Sequence, residues 1–382
     1  MELYAEVATW QLSKTGEELC GDKVEVVRNS MATTVVISDG LGSGVKANIL
    51  ATLTTKIASS LLARGIPLEE VVTTIAQTLP VCRERKLAYS TLHIITLTSS
   101  GEATVVEFDS PATYLVRGGK VLPFPTMEKV VAGKIVKQGE LRLQENDVIV
   151  GVSDGVIHAG IGGLLKLGWN WQGVKEQLAA DFHDQFTADE IAKRLLGCCN
   201  GYYLGQPGDD STVVAIKLRR PRQLVLLTGP PADKVIDERV VRRFLHQSGC
   251  KVIAGGTTAK IVGRIMNKPV VADLAYYDPD VPPTATIEGI DLVTEGVLTL
   301  FITVSRLDDS HRLNDSSFRD GATQLARLLL SSDRVHIYAG TAINPAHQNP
   351  LFPAQINIKK QALGDLKAKL ESIGKQVTME WF

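Results

Sequence analysis

The sequence predicts an α+β sandwich, with two antiparallel sheets packed together and helices outside in an αββα arrangement, followed by a smaller α/β domain. Three observations predict it. Strand-like runs near the start lead into two segments of helical spacing, and the period then shortens to a series of brief strands. Residues 86–154 lack the regular βαβ alternation that a doubly wound sheet requires. Charge and a proline in "LRRPRQ", residues 218–223, separate two apolar strands, and the pattern beyond them turns to β-α-β. At 382 residues the chain is also too long for one ordinary core. The expected domains are 1–219 and 220–382.

In order, residues 3–12 ("LYAEVATWQL") read as a strand, as do "KVEVVRN" and "ATTVVISD". "KANILATLTTKIASSLLARG" carries apolar residues at helical spacing and stops at Gly65. A second helix is expected over "LEEVVTTIAQTLPVCRER" despite Pro80. "STLHIITLT", "EATVVEFD", "ATYLVRG" and "KVLPF" read as a meander of antiparallel strands, and "DVIVGVSD" as a further strand. Helices are expected to about Asn200, before "STVVAIKLRR" closes the first domain. In the second, "QLVLLTG", "KVIAGG", "KPVVADLAYY", "GVLTLFITVSRL", "RVHIYAG" and "QVTMEWF" read as strands. "DERVVRRFLHQS", "SFRDGATQLARLLLSS" and "KQALGDLKAKLESIG" read as helices.

Hydrophobic content of 44%, 22% charged residues and a formal charge of −1 describe a globular chain. They argue against binding nucleic acid or a membrane surface through net charge. No run approaches the roughly 18 apolar residues of a membrane span, and "MELYAEVATWQLSK" does not read as an export signal. Cys20, Cys82, Cys198, Cys199 and Cys250 form no metal-ligand pattern, and an odd count fits reduced thiols. A cytoplasmic location is expected.

Acidic residues stand repeatedly at strand ends. Asp22 precedes one strand, Asp39 and Asp154 end two others, and Asp209 with Asp210 precedes a fourth. A strand end lets a carboxylate lean into a common space on a fixed backbone. Gathered carboxylates repel and take up protons unless a cation lies among them. Oxygen ligands without histidine or cysteine suit Mg²⁺ or Mn²⁺. Gly40 would let the chain turn after Asp39, turning its own carbonyl toward the same ion, and Gly42 and Gly44 would let a helix start close by. A rival reading makes Gly40, Gly42 and Gly44 a phosphate-cradling loop. It lacks the G-K-[ST] ending of a P-loop, and Asp39 would repel a phosphate, so the metal reading comes first.

These residues, in this order, resemble the metal-dependent Ser/Thr protein phosphatases of the protein phosphatase 2C (PPM) type. The closer resemblance is to the bacterial branch typified by the stage II sporulation protein E phosphatase domain. It is carried by "KTGEELCGD", "ISDGLGSGVKA", "SPATYLVRGGKV", "LQENDVIVGVSDGV" and "GDDSTVVAIKL" across residues 4–219. The resemblance implies two Mn²⁺ or Mg²⁺ ions, with Asp39 bridging both. Asp22 and the Gly40 carbonyl would complete one ion, Asp154 and Asp209 would hold the other, and Asp210 would support Asp209. It implies hydrolysis of phosphoserine or phosphothreonine by metal-bound hydroxide, on a bacterial regulatory protein of the anti-sigma-factor-antagonist type. Leu41 stands where eukaryotic relatives have a histidine, and His158 is a candidate substitute. "VVAGKI" lacks the proline of the family's P-x-G segment.

Trp169 and Trp171 could present a docking surface for a protein substrate or could cap the core. In the second domain, Gly255, Gly256, Thr257 and Thr258 at a β-α turn are candidates for binding an anion or nucleotide, with Asp291 and Glu295 as companions. The expected partner is a phosphorylated protein, with no nucleic acid or membrane, and a homodimer is open. The different-class alternative is a catalytically weak phosphoprotein-binding scaffold with a ligand-sensing C-terminal domain.

Overall fold

The computed structural model describes residues 2–29, 31–78, 90–342 and 354–382, which divide into two compact units, Met1–Arg220 and Pro221–Phe382. In the first unit β1 (Tyr4–Leu12), β2 (Asp22–Arg28) and β3 (Ala32–Asp39) lead to helices α1 (Gly44–Ala63) and α2 (Leu68–Thr78). Seven strands follow: β4 (Leu92–Thr98), β5 (Glu102–Phe108), β6 (Tyr114–Arg117), β7 (Lys120–Pro123), β8 (Met127–Val131), β9 (Lys134–Arg142) and β10 (Val148–Val152). The short α3 (Asp154–Ile157), then α4 (Asn170–Asp181) and α5 (Ala188–Tyr202), precede β11 (Ser211–Arg219).

The strands form two sheets, β1-β11-β10-β6-β7 and β2-β3-β4-β5-β9-β8, in which every pairing is antiparallel. Alternation along the strands places Val35, Ile37, Ile95 and Val105 of one sheet against Ile149, Val214 and Ile216 of the other. The opposite faces bury Val36, Ile94 and Val106 against α1 and α2, and Val150, Val213 and Ala215 against α4 and α5. This is the four-layered sandwich the sequence predicts. Helix α5 is fixed at its start by a capping box, the Thr187 hydroxyl accepting from Glu190 N while Glu190 accepts from Thr187 N.

The sequence reading needs two corrections here. The expected meander is not one sheet, because the chain crosses between sheets in residues 109–113, where Asp109 adopts φ 50° and Pro111 interrupts pairing. The sequence reading has no β8 or β9, since β8 is exposed from Met127 to Val130 and in β9 buried Val136 stands between exposed Ile135 and Lys137 with few other apolar residues. "VVAGKI" is their hairpin, turning on Ala132 (φ 49°) and Gly133 (φ 79°), both left-handed. The expected continuation of the second helix beyond Thr78, with Cys82, falls outside the described residues.

The second unit begins with β12 (Gln223–Thr228), α6 (Asp237–His246), β13 (Cys250–Ala254) and α7 (Gly256–Met266). Two short strands, β14 (Val271–Ala272) and β15 (Ala285–Thr286), precede β16 (Leu292–Thr294). Helices α8 (Val297–Arg306), α9 (Ser310–Asn314) and α10 (Gly321–Ser331), strand β17 (Arg334–Ala339), helix α11 (Ala354–Ser372) and β18 (Gln376–Trp381) complete it. The sheet order is β14-β15-β16-β13-β12-β17-β18, parallel from β16 to β18. Strands β12 and β13 read as unbroken apolar runs because helices cover both faces. "GVLTLFITVSRL" was expected as a strand and is α8. Its Thr299, Leu300 and Thr303 are buried at helical spacing, so packing overrides its β-branched residues. Only Val271 and Ala272 of "KPVVADLAYY" pair in the sheet.

Candidate active site

Neighbouring strand ends assemble the acidic cluster. In the β2–β3 pair Asp22 lies directly opposite Asp39, so their side chains share one face. Asp39 is fixed from both sides of its peptide: its N–H donates to Thr91 Oγ1 at 2.9 Å, and its carbonyl accepts from Thr91 N at 2.8 Å. Asp154 follows β10 across the sandwich as the first residue of α3. Asp209 and Asp210 precede β11, and the Asp209 carboxylate accepts from Asp210 N at 3.0 Å.

Hydrogen bonds tie these ends together. The Thr212 hydroxyl donates to Asp22 Oδ2 at 2.6 Å, while Thr212 N donates to Ser153 Oγ at 2.8 Å, linking β11 to both β2 and β10. Lys14 N donates to Asp210 Oδ1 at 3.0 Å. Two glycines are required by close approach rather than by a turn. A Cβ on Gly40 would lie 2.0 Å from the Ala47 carbonyl oxygen of α1, and one on Gly155 would lie 2.0 Å from the Asp210 carbonyl oxygen. The turn itself belongs to Gly42 (φ 107°) and Gly44 (φ 68°).

The electrostatics are those of crowded acids. Burial, reinforced by the charges of Asp22, Asp154 and Asp209, pushes Asp39 up to about 10. Burial likewise raises Asp22 to about 6, against hydrogen bonds from Thr212 and Ser153 that favour its ionised form. Asp209 is raised by burial and by the Asp154 charge. Asp22 Oδ1 and Asp210 Oδ2 are buried and have no hydrogen-bond partner. Among the described residues no three His, Cys, Asp or Glu side chains are gathered tightly enough to hold an ion unaided. Oxygen donors without histidine or cysteine suit Mg²⁺ or Mn²⁺ better than zinc. Mutually raised acids and orphaned carboxylate oxygens are the donor set a hard cation would satisfy.

The structure thus brings Asp22, Asp39, Gly40, Asp154, Asp209 and Asp210 together, and places Gly255, Gly256, Thr257 and Thr258 in the other unit. His158 Nδ1 stands 3.9 Å from Asp154 Oδ2, with both side chains about half exposed. Trp169 and Trp171 are packing residues: Trp169 is buried, and Trp171 stacks on Tyr114 at 4.7 Å and donates to the Ala112 carbonyl at 2.9 Å. Sequence reasoning missed His93, which lines the cleft with Asp39 and Asp154. Burial lowers its pKa to about 4, and its Nε2 lies 2.8 Å from Thr113 Oγ1, which in turn donates to buried Glu107 at 2.6 Å. Its only signal was a lone histidine in an apolar strand.

No curated protein matches the chain. Among solved structures it is similar to the PP2C phosphatase domain with a regulatory-domain fragment of the cell-fate determinant SpoIIE from Bacillus subtilis. That match has 21% identity and a TM-score of 0.51, and covers 57% of this chain and 64% of the solved one. The RsbU and RsbW domains of a Mycobacterium tuberculosis protein match at 16% identity and TM-score 0.46, over 68% and 70% of the two chains. RsbX in complex with magnesium matches at 17% identity and TM-score 0.42, over 56% and 95%. The first likeness establishes the PP2C fold. The family model for stage II sporulation protein E (SpoIIE) matches residues 29–219, a span that holds Asp39, Asp154 and Asp209. On that match the chain belongs to the SpoIIE family of PP2C-type phosphatases.

Proposed function

We propose that residues 1–219 form a divalent-metal-dependent protein serine/threonine phosphatase. Its substrate would be a phosphorylated bacterial regulatory protein of the anti-sigma-factor-antagonist type. The observation that carries this is Asp39, pushed up to about 10 by burial and by the converging charges of Asp22, Asp154 and Asp209. A fold gains nothing from crowding acids in this way unless a cation relieves them. Asp39, Asp22 and the Gly40 carbonyl would hold one ion, and Asp39, Asp154 and Asp209 the other. When bound, such ions lower the pKa of water and neutralise phosphoryl charge.

The remaining work belongs to the chain. Thr212 and Ser153 keep Asp22 ionised and oriented, and Asp210, held by Lys14 N, sets the backbone from which Asp209 projects. A protein loop bearing phosphoserine or phosphothreonine would approach along the half-exposed side chains of Asp154 and His158. His158, whose Nδ1 lies 3.9 Å from Asp154 Oδ2, would deliver a proton to the leaving hydroxyl. The absence of a tight three-residue cage among the described residues favours, as a second reading, a weakly active phosphoprotein-binding scaffold. Hydrolysis of a small aryl phosphate and a phosphoserine peptide with Mn²⁺, with and without chelator, separates the two. Chelator-sensitive release of phosphate supports the enzyme, and retained peptide binding with no release supports the scaffold.

A further inference from the structure

The second unit contains a cavity of about 490 Å³ that the phosphatase reading does not use. Its position follows from the topology. The chain leaves β12 toward β13 and β16 on one side, then crosses to β17 and β18 on the other. In open parallel sheets of this kind a crevice forms beyond the carboxyl ends of the strands where the order reverses. Here that point lies between β12 and β17, and Thr228, Gly229, Gly340 and Thr341 line the cavity.

Several features of the lining point to an anion. Helices α7 and α8 both begin at it, behind Gly255 and Gly296, and neither start has a side-chain cap, so their first N–H groups are available. Thr258 is 3% exposed and lines the cavity, yet its Oγ1 has no hydrogen-bond partner. Among the described residues Lys359 is bonded only to carbonyls, those of Thr228 at 3.0 Å and Gly340 at 2.6 Å, which leaves one of its three donors over. Gly229 makes room for it, since a Cβ there would fall 1.9 Å from Lys359 Nζ. Burial lowers Lys359 to about 8, so it remains charged at neutral pH. The rest of the wall is apolar: Pro230, Val297, Leu298, Ile358 and Trp381. Exposed Glu295 borders the same space beside Gly256, and a ligand must meet it with hydroxyl groups rather than phosphate.

We infer that this cavity binds a small phosphorylated ligand of the mononucleotide class. Its phosphate would lie at the starts of α7 and α8 with Thr258 and Lys359, and its planar body against the apolar wall with Trp381. The volume falls within the range of small-molecule sites, about 300–1,000 Å³.

The test is isothermal titration calorimetry on the full chain with AMP, GMP and inorganic phosphate. AMP or GMP is expected to bind with Kd of about 1 mM or tighter, and phosphate more weakly. Thr258→Val keeps the side-chain shape and removes a hydroxyl that bonds nothing in the fold, so the variant should fold normally and lose roughly five- to tenfold in nucleotide affinity. Lys359→Met, checked for folding by circular dichroism, should lose at least as much. Failure of both nucleotides to bind at about 5 mM overturns the assignment. So does wild-type affinity in both variants, or phosphate binding as tightly as the nucleotides.

Discussion

Replacing Asp39 by asparagine should stabilise the metal-free protein while abolishing its activity. Asp39 has an ordinary value of 3.8 and is pushed up to about 10 in the fold. Between these limits the folded state holds more protons than the unfolded chain, so this group's contribution is greatest below 3.8 and is lost as pH rises toward about 10. One proton corresponds to about 1.4 kcal/mol per pH unit. The ceiling at neutral pH is therefore about 4 kcal/mol, the slope accumulated over roughly three units. Asp39 is only partly buried, and screening reduces the effect to about 1–2 kcal/mol. In a unit of this size each kcal/mol moves Tm by about 2–4 °C. Scanning calorimetry in chelator should show the Asp39→Asn variant melting about 2–8 °C above wild type near neutral pH, with the gap narrowing as pH falls. With Mn²⁺ wild type should recover and the variant should not, and hydrolysis of an aryl phosphate should be lost in the variant. A metal-free variant that melts below wild type, or one that keeps near wild-type turnover, would refute the reasoning.

Adding Mn²⁺ to metal-free wild type near pH 7 should release protons, because raised carboxyls must ionise to bind. Calorimetry in buffers of different ionisation enthalpy measures this, and the release should shrink in Asp39→Asn. Gly40→Ala should cost about 2–3 kcal/mol in denaturant unfolding and lower activity, because its Cβ would meet the Ala47 carbonyl oxygen at 2.0 Å. Asp147→Ala should cost about 2–4 kcal/mol in the same assay. It removes the carboxylate that accepts from Arg117 at 2.7 Å and from Gln144 N at 2.7 Å, and leaves a partly buried guanidinium unpaired.

The acidic site was legible because it is written at strand ends. "VVISD" and "IVGVSD" each carry a carboxylate where an apolar run stops, and the register that sets Asp22 against Asp39 follows from a short hairpin. What escaped depends on distant neighbours. The turn reading of Gly40 could not foresee that Ala47 of α1 lies over it. Helix α8 looks like a strand until Leu300 and Thr303 are seen buried together, a fact set by α10 and α11 rather than by its own sequence. Strand β8 hides because Met127 and Val130 are exposed and only Val131 reaches the core. The His93–Thr113–Glu107 chain joins two strands to the crossover between sheets, positions that no local pattern connects.

The β2–β3 pair ends on two acids placed directly across from each other. Without a cation at neutral pH Asp39 takes up a proton, at a cost to the folded state, so this corner should open more readily than the rest of the sheet when divalent cations are scarce. Its susceptibility to proteases, and hence how long the protein survives, would then follow the ionic supply of its surroundings as well as its own sequence.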